Sequence, residues 1–255
     1  MVIQFDNIEK ALKNFKHNKP FDHCVVENFF DLKTAKDLEN DFPKYEDKVW
    51  FEYNNLLEHK KALNDWNKYP PLTYQAFMML NSPQMIKLLD KYVGVNLFPD
   101  MGLHGGGWHM HGSGGNLNPH FDYSIHPKCG LQRKLNIIIY LSKDLKPSKH
   151  KGHLGLWSYN HKTNQPKDLI KEVVLIFNRA IIFDTTQNSW HGMSQKLQVP
   201  KDIYRKSLAV YYLTEPKHAL RAVYAPRDDQ RDDKKVLETI KMRQDVIKSQ
   251  KVYKV

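Results

Sequence analysis

"NPHFDYS" occupies residues 118–124, and "NSWHGM" occupies residues 188–193. The first places His120 and Asp122 two residues apart; the second carries His191. A lone His-x-acid pair means little. With 13 histidines and 28 acidic residues in 255, about 1.4 such pairs arise from composition alone. Alternation makes this pair different. In a strand, residues i and i+2 face the same side, so both side chains can reach one centre. His191 follows Asp122 by 69 residues, room for roughly five short strands, which is about the chain needed to come round a barrel and meet the first strand again. Two imidazoles and one carboxylate on one face of a metal leave the opposite face open. That arrangement suits non-haem Fe(II), which must take a co-substrate and O2 together.

The surrounding sequence agrees with a barrel. After Gly94 the glycines cluster at 105–107 and 112–115, and short apolar runs follow: "KLNIIIYL" (134–141), "HLGLWSY" (153–159), "EVVLIF" (172–177), "RAIIFDT" (179–185) and "KSLAVYYL" (206–213). Such a series, with turn signals between the runs, predicts a sandwich or barrel. Residues 1–98 read as mostly helical support. Ile8, Leu12 and Phe15 fall at helical spacing, and "DLKTAKDLENDFP" has an acidic start and a stop at Pro43. "SPQMIKLLDKYVG" offers Ser82 as N-cap, Pro83 in the first turn and Gly94 as terminator. Only "DHCVVENFF" (22–30) reads as a strand there. Residues 227–255 revert to helix, with Val236, Ile240 and Ile247 on one face. The expected fold is α+β: one domain with a jelly-roll core over 99–226, helices before it and a helix after it.

Other histidines lie close by. His109 and His111 form a second same-face pair, as a cupin-type site would need, but no Glu occurs between 112 and 171 to complete it. With His104 and His126 they are expected in loop or rim positions without metal.

Bulk composition narrows the remaining classes. The chain is 41% hydrophobic and 26% charged, an ordinary globular composition. Its net charge of +11 attracts anions, yet the lysines are spread throughout and no nucleic-acid recognition motif occurs. Cys24 and Cys129 form no CxxC pair, which argues against a disulfide framework or zinc finger and suits a reducing cytoplasm. The N-terminus lacks the apolar core of a signal peptide, and no run has the length of a membrane span.

Six segments together resemble the 2-oxoglutarate/Fe(II)-dependent dioxygenases, in particular their prolyl 4-hydroxylase-like branch. They are "VVENFFDLKTAKDLENDFP", "GGNLNPHFDYS", "RKLNIIIYLSKDL", "KGHLGLW", "NRAIIFDTTQNSWHGM" and "RKSLAVYYLT", in that order from about Phe29 to Thr214. Ser142 stands where the family usually has Asn, and His153 where it has a second Gly. The resemblance implies a double-stranded β-helix. It implies Fe(II) held by His120, Asp122 and His191, and 2-oxoglutarate anchored by Arg205 and Ser207, with Tyr140 adding a hydrogen bond and Asn136 a contact. A guanidinium suits the distal carboxylate because it offers a fixed bidentate fork. Arg205 lies 14 residues after His191, slightly farther than the family norm. Lys206 is the rival anchor, facing the opposite way. Arg133 and Trp190 are candidates for the substrate mouth; Tyr204, Tyr211 and Tyr212 are expected to pack. The implied activity is hydroxylation of a C–H bond with O2, with ascorbate a candidate reductant. The substrate is a prolyl or other residue of a protein or peptide, or alternatively a small molecule or glycan precursor. Nucleic acid and membrane are not expected partners.

Overall fold

The computed structural model describes residues 2–217 and 223–249, the side chains of 246–249 excepted. Two antiparallel sheets face each other. In the larger, the order is β1 (His23–Val26), β11 (Ala180–Asp184), β8 (Gln132–Tyr140), β13 (Arg205–Thr214), β5 (Gly107–His111), β3 (Glu58–Leu63) and β2 (Phe51–Asn54). Short strands β4 (Phe98–Pro99) and β6 (Asn116–Leu117) pair with β13 and β3. In the smaller, the order is β10 (Gln165–Val173), β9 (Leu154–Asn160), β12 (His191–Met193), β7 (His120–Phe121) and β14 (Val223–Tyr224). This is the double-stranded β-helix that the resemblance implied.

Alternation along the central strands builds two cores. Leu135, Ile137 and Ile139 of β8 and Leu208, Val210 and Tyr212 of β13 face outward. They pack against α1 (Phe5–Leu12), α2 (Leu32–Asn40), α3 (Pro71–Leu80) and α4 (Pro83–Val93) through Ile8, Leu12, Leu38, Phe77 and Leu89. Each buried side chain of this kind contributes about 1.5–3 kcal/mol. The opposite faces meet between the sheets, where Tyr140, Ile181 and Phe183 contact Leu154, Leu156 and Met193. α2 and α4 begin, and α4 ends, at the signals the sequence carries. Asp31 Oδ1 accepts from the Thr34 amide at 2.9 Å, Ser82 Oγ from the Met85 amide at 3.3 Å, and Gly94 ends α4 in the left-handed region at φ 79°.

Three expectations need correction. Four strands, not five, separate Asp122 from His191: β8, β9, β10 and β11, with the short helix α5 (Pro147–His150) among them. The run "EVVLIF" is strand only at Glu172 and Val173. The strand instead begins at Gln165, because β10 is a sheet edge whose residues before Val173 are half-buried or exposed, Leu169 and Ile170 among them, so no buried apolar alternation marks it. The last helix, α6, spans Lys234–Ser249 after a 3-10 turn at Asp228–Gln230. Its Val236 and Ile240 bury against Leu57 and Tyr224; Ile247 lies outside the described side chains. The sequence reading also missed the β2–β3 hairpin, which widens the larger sheet. Gly107 admits it. At φ +88°, any side chain there would strike the Leu63 carbonyl and stand 2.7 Å from the Tyr69 hydroxyl. No described helix is long and apolar enough to cross a membrane.

Candidate metal and co-substrate site

His120 opens β7 and His191 opens β12, and the register pairs them directly across the smaller sheet. Their rings lie 4.3 Å apart, centroid to centroid. Asp122 follows β7 and turns its carboxylate to both: Oδ1 lies 3.6 Å from His120 Nε2, and Oδ2 lies 3.7 Å from His191 Nε2. Each imidazole is fixed from behind. His120 Nδ1 lies 2.8 Å from the Asn118 carbonyl and His191 Nδ1 2.8 Å from the Ser189 carbonyl. An Nδ1–H donated to each carbonyl leaves the Nε2 lone pairs aimed at the shared centre, the orientation a metal needs. Among the described residues this is the one group of three or more His, Cys, Asp or Glu placed to hold an ion.

The charge states fit as well. Burial, and then the charge of His120, push His191 down to about 4, against the pull of Asp122. Burial alone would raise Asp122. The charges of His191 and His120, the hydrogen bond from His120 and the more distant Arg133 outweigh it and hold the carboxyl below its ordinary range. A neutral His191 and an ionised Asp122 at pH 7 are what a divalent ion requires of its ligands.

Arg205 opens β13 opposite His111 of β5, and Ser207 lies between His109 of β5 and Tyr140 of β8. Tyr211 stands opposite Asn136. Thus Arg205, Ser207, Tyr140 and Asn136 share the inner face of the larger sheet, and all four are buried. Arg205 is 5% exposed, with Nη1 3.4 Å from His111 Nδ1 and its guanidinium carbon 5.1 Å from the Tyr140 ring centre. No described carboxylate pairs with it. Arg205 Nε, Ser207 Oγ and Asn136 Oδ1 are buried without a hydrogen-bond partner. A buried guanidinium without an anion is costly. The donor set therefore fits a carboxylate arriving from outside the protein. Lys206 faces the helices, with Nζ 3.4 Å from the Glu39 carbonyl and 5.6 Å from the Phe42 ring centre.

Other residues depart from expectation. Tyr211 does more than pack, because its hydroxyl donates to Asp122 Oδ2 at 3.1 Å. Its position six residues after Arg205 puts it on the same strand face, a signal the sequence did carry. Tyr212 faces outward and donates to the Leu80 carbonyl at 2.6 Å, and Tyr204 stacks on Tyr45. Trp190 is fully buried against Phe121 rather than at a mouth. His109 and His111 sit on a strand, not a loop, and burial keeps both well below the ordinary histidine value. His104 and His126 lie together by Tyr123 and Asp100. Ser142, in place of the family Asn, accepts from the Lys206 amide at 2.7 Å and so ties β13 to the end of β8.

A cavity of about 390 Å³ opens on the centre. His120, Asp122, Tyr211 and Arg133 line one side, and Glu58 and Lys60 of β3 line the other. Tyr224 stacks on His120 at 5.3 Å and hydrogen-bonds Glu58.

A family model described as the 2OG-Fe(II) oxygenase superfamily matches residues 106–213, which include every residue of the two candidate ligand sets. No curated protein matches the sequence. Among solved structures, the fold resembles a prolyl-4-hydroxylase of Pseudomonas putida at a TM-score of 0.59 and 9% identity, covering 82% of this chain and 100% of that one. It resembles a prolyl hydroxylase of Trichoplax adhaerens, solved with a hypoxia inducible factor peptide, at 0.56 and 17%, covering 82% and 92%. HygX of Streptomyces hygroscopicus, solved with nickel, 2-oxoglutarate and hygromycin B, aligns at 0.52 and 12%, covering 83% and 89%. At these identities the likeness is one of fold. The matched segment, residues 106–213, is similar to the 2OG-Fe(II) oxygenase superfamily, and the likeness of fold agrees with it.

Proposed function

We propose that the protein is a 2-oxoglutarate-dependent Fe(II) dioxygenase that hydroxylates a C–H bond of a prolyl or other amino-acid residue in a peptide or protein. One observation carries the reading: the His120–Asp122–His191 centre lies across the barrel from a buried Arg205 that has no anion of its own. His120, Asp122 and His191 hold the metal. Arg205 and Ser207 take the distal carboxylate of 2-oxoglutarate, with Tyr140 and Asn136 beside them. Bound iron supplies O2 activation and the oxidation of a C–H bond, coupled to conversion of 2-oxoglutarate to succinate and CO2.

The protein's part is positional. The carbonyls of Asn118 and Ser189 fix the two imidazoles, and Tyr211 holds one oxygen of Asp122. The apolar packing of Phe183 against His191, at 4.7 Å, excludes water from that side. Cys24 and Cys129 are free thiols, which suits a cytoplasmic enzyme. A second reading, hydroxylation of a small molecule, is favoured by the size of the cavity and the cations that line it.

The test is direct. Anaerobic protein should bind about one Fe(II) per chain and, with the metal, one 2-oxoglutarate. Asp122→Ala should keep the fold and lose the metal. Succinate release across panels of proline-containing peptides and small acids then separates the two substrates. Full turnover by Asp122→Ala would overturn the reading.

A further inference from the structure

β3 turns Glu58, Lys60 and Ala62 toward the cavity and Lys61 away from it, where Lys61 bonds the Tyr45 carbonyl. The Lys60 side chain is 13% exposed. Among the described residues its ammonium makes no hydrogen bond; it forms a long ion pair with Glu58 Oε2 at 3.9 Å and lies 5.0 Å from the Tyr53 ring centre. Glu58 is already engaged: Arg243 of α6 reaches it at 2.8 Å, and the Tyr224 hydroxyl bonds it.

The charges around the cavity do not balance. Lys60, Arg133 and Arg243 face Glu58 and Asp122. Glu58 is shared between Arg243 and Lys60, one carboxylate for two cations, and Asp122 belongs to the proposed metal centre. Arg133 is stacked between Tyr123 and Tyr211, with Nη2 donating to the His104 carbonyl and the Tyr123 hydroxyl and Nε buried without a partner. The distal carboxylate of 2-oxoglutarate does not correct this, since on the reading above it meets Arg205 and Ser207. His109, next to Lys60's strand on β5, is half-buried, and desolvation holds it well below the ordinary histidine value, so it adds no charge. A cation held in a half-closed cavity with only a long, shared ion pair and no hydrogen-bond acceptor attracts an oxyanion strongly, because little solvent competes there.

We propose that Lys60 binds an oxyanion, a carboxylate or a phosphate, carried by the molecule that is hydroxylated. The proposal rests on the metal and co-substrate reading above and names the substrate feature which that site selects. It makes Lys60 a specificity-determining residue that lies outside the segment matched by the family model.

The experiment uses full-length protein loaded with redox-silent Zn(II) and saturated with 2-oxoglutarate, so that the Arg205 site is filled. Inorganic phosphate and acetate are titrated and followed by 31P and 13C line width, in the wild type, Lys60→Met and Lys60→Arg. Binding of at least one probe should weaken by about tenfold or more in Lys60→Met and be retained in Lys60→Arg. Affinity for 2-oxoglutarate, measured separately by calorimetry, should change less than about threefold in both. Probe binding that is equal in wild type and Lys60→Met overturns the proposal. So does a large loss of 2-oxoglutarate affinity in Lys60→Met, which would make Lys60 a co-substrate ligand. A wild type that binds neither Zn(II) nor 2-oxoglutarate instead overturns the reading on which the proposal rests. Lys60→Arg, which keeps the charge, guards against a variant that merely misfolds.

Discussion

Truncating Arg205 should cripple binding of 2-oxoglutarate while leaving the metal site intact. The guanidinium is 5% exposed, lies beside Tyr140 and His111, and leaves Nε without a protein partner. A carboxylate delivered there forms a desolvated, charge-assisted pair. Removing one member of such a pair costs about 2–5 kcal/mol, because the other charge stays buried and unmatched. Arg205→Ala should therefore weaken 2-oxoglutarate binding by roughly thirtyfold or more. Two neighbours calibrate that number. Lys206 carries the same charge one residue along but points at Glu39 and Phe42 on the helix side, so Lys206→Ala should change affinity by less than about threefold. Tyr140→Phe removes one neutral donor, worth about 0.5–1.5 kcal/mol, and should fall between the two. Calorimetric titration of 2-oxoglutarate into metal-loaded protein, compared across the three variants, reads all of this. A large defect in Lys206→Ala with a small one in Arg205→Ala would refute the reasoning, since the inner face of β13 would then be that of Lys206 and Leu208.

Three other perturbations test the surroundings. Tyr211→Phe removes the hydrogen bond to Asp122 Oδ2 and should weaken metal binding by roughly tenfold, as loss of outer-sphere support does; metal competition with a chelating dye measures it. Burial first, and then His120, lower His191 from 6.5 to about 4, so the unfolded chain takes that proton before the folded one. Metal-free protein should lose about 3 kcal/mol as pH falls from 6.5 toward 4. The depressed Asp122 acts in the same direction at lower pH, its stabilisation being present above its ordinary 3.8 and lost beneath it. Melting curves of the chelator-treated protein and of His191→Asn check this, and parallel loss of stability in both would show that His191 is not the group responsible. Gly107→Ala should cost about 3 kcal/mol in a thermal melt, from the positive φ and the clash with the β3 backbone.

The apolar strands were legible because they alternate against two cores. In β13 the outward residues Leu208, Val210 and Tyr212 are apolar, while Arg205 and Ser207 interrupt the inner face. That is enough to read both the strand and the end of it that carries chemistry. The candidate metal residues were legible for a more fragile reason. β7 is only two residues long, and Asp122 lies just beyond it, so strand alternation alone would not have held the carboxylate in place. Pairing of His120 with both His191 and Tyr224, and the Tyr211 hydroxyl on Asp122, do that. None of these contacts is written in local sequence.

The β2–β3 hairpin was illegible because its pattern is inverted. "EHKKAL" places Glu58 and Lys60 on the face turned inward, where a strand reader looks for Val or Ile, and reads as a solvated charge run. Hydrophobic periodicity finds strands that face a core, and this one faces a polar cavity. The same inversion appears at Asn136, Arg205 and Ser207, which are buried polar residues in otherwise apolar strands. Leaving such groups buried without partners is unfavourable for folding, so where several converge on one space, a ligand is the most economical way to satisfy them. Arg205 and Ser207 converge on the position assigned to the co-substrate. Lys60 faces the cavity beside His120 and Asp122 from β3, two strands along the sheet from β13, and with Arg205 assigned to the co-substrate, the anion proposed for Lys60 is a second one.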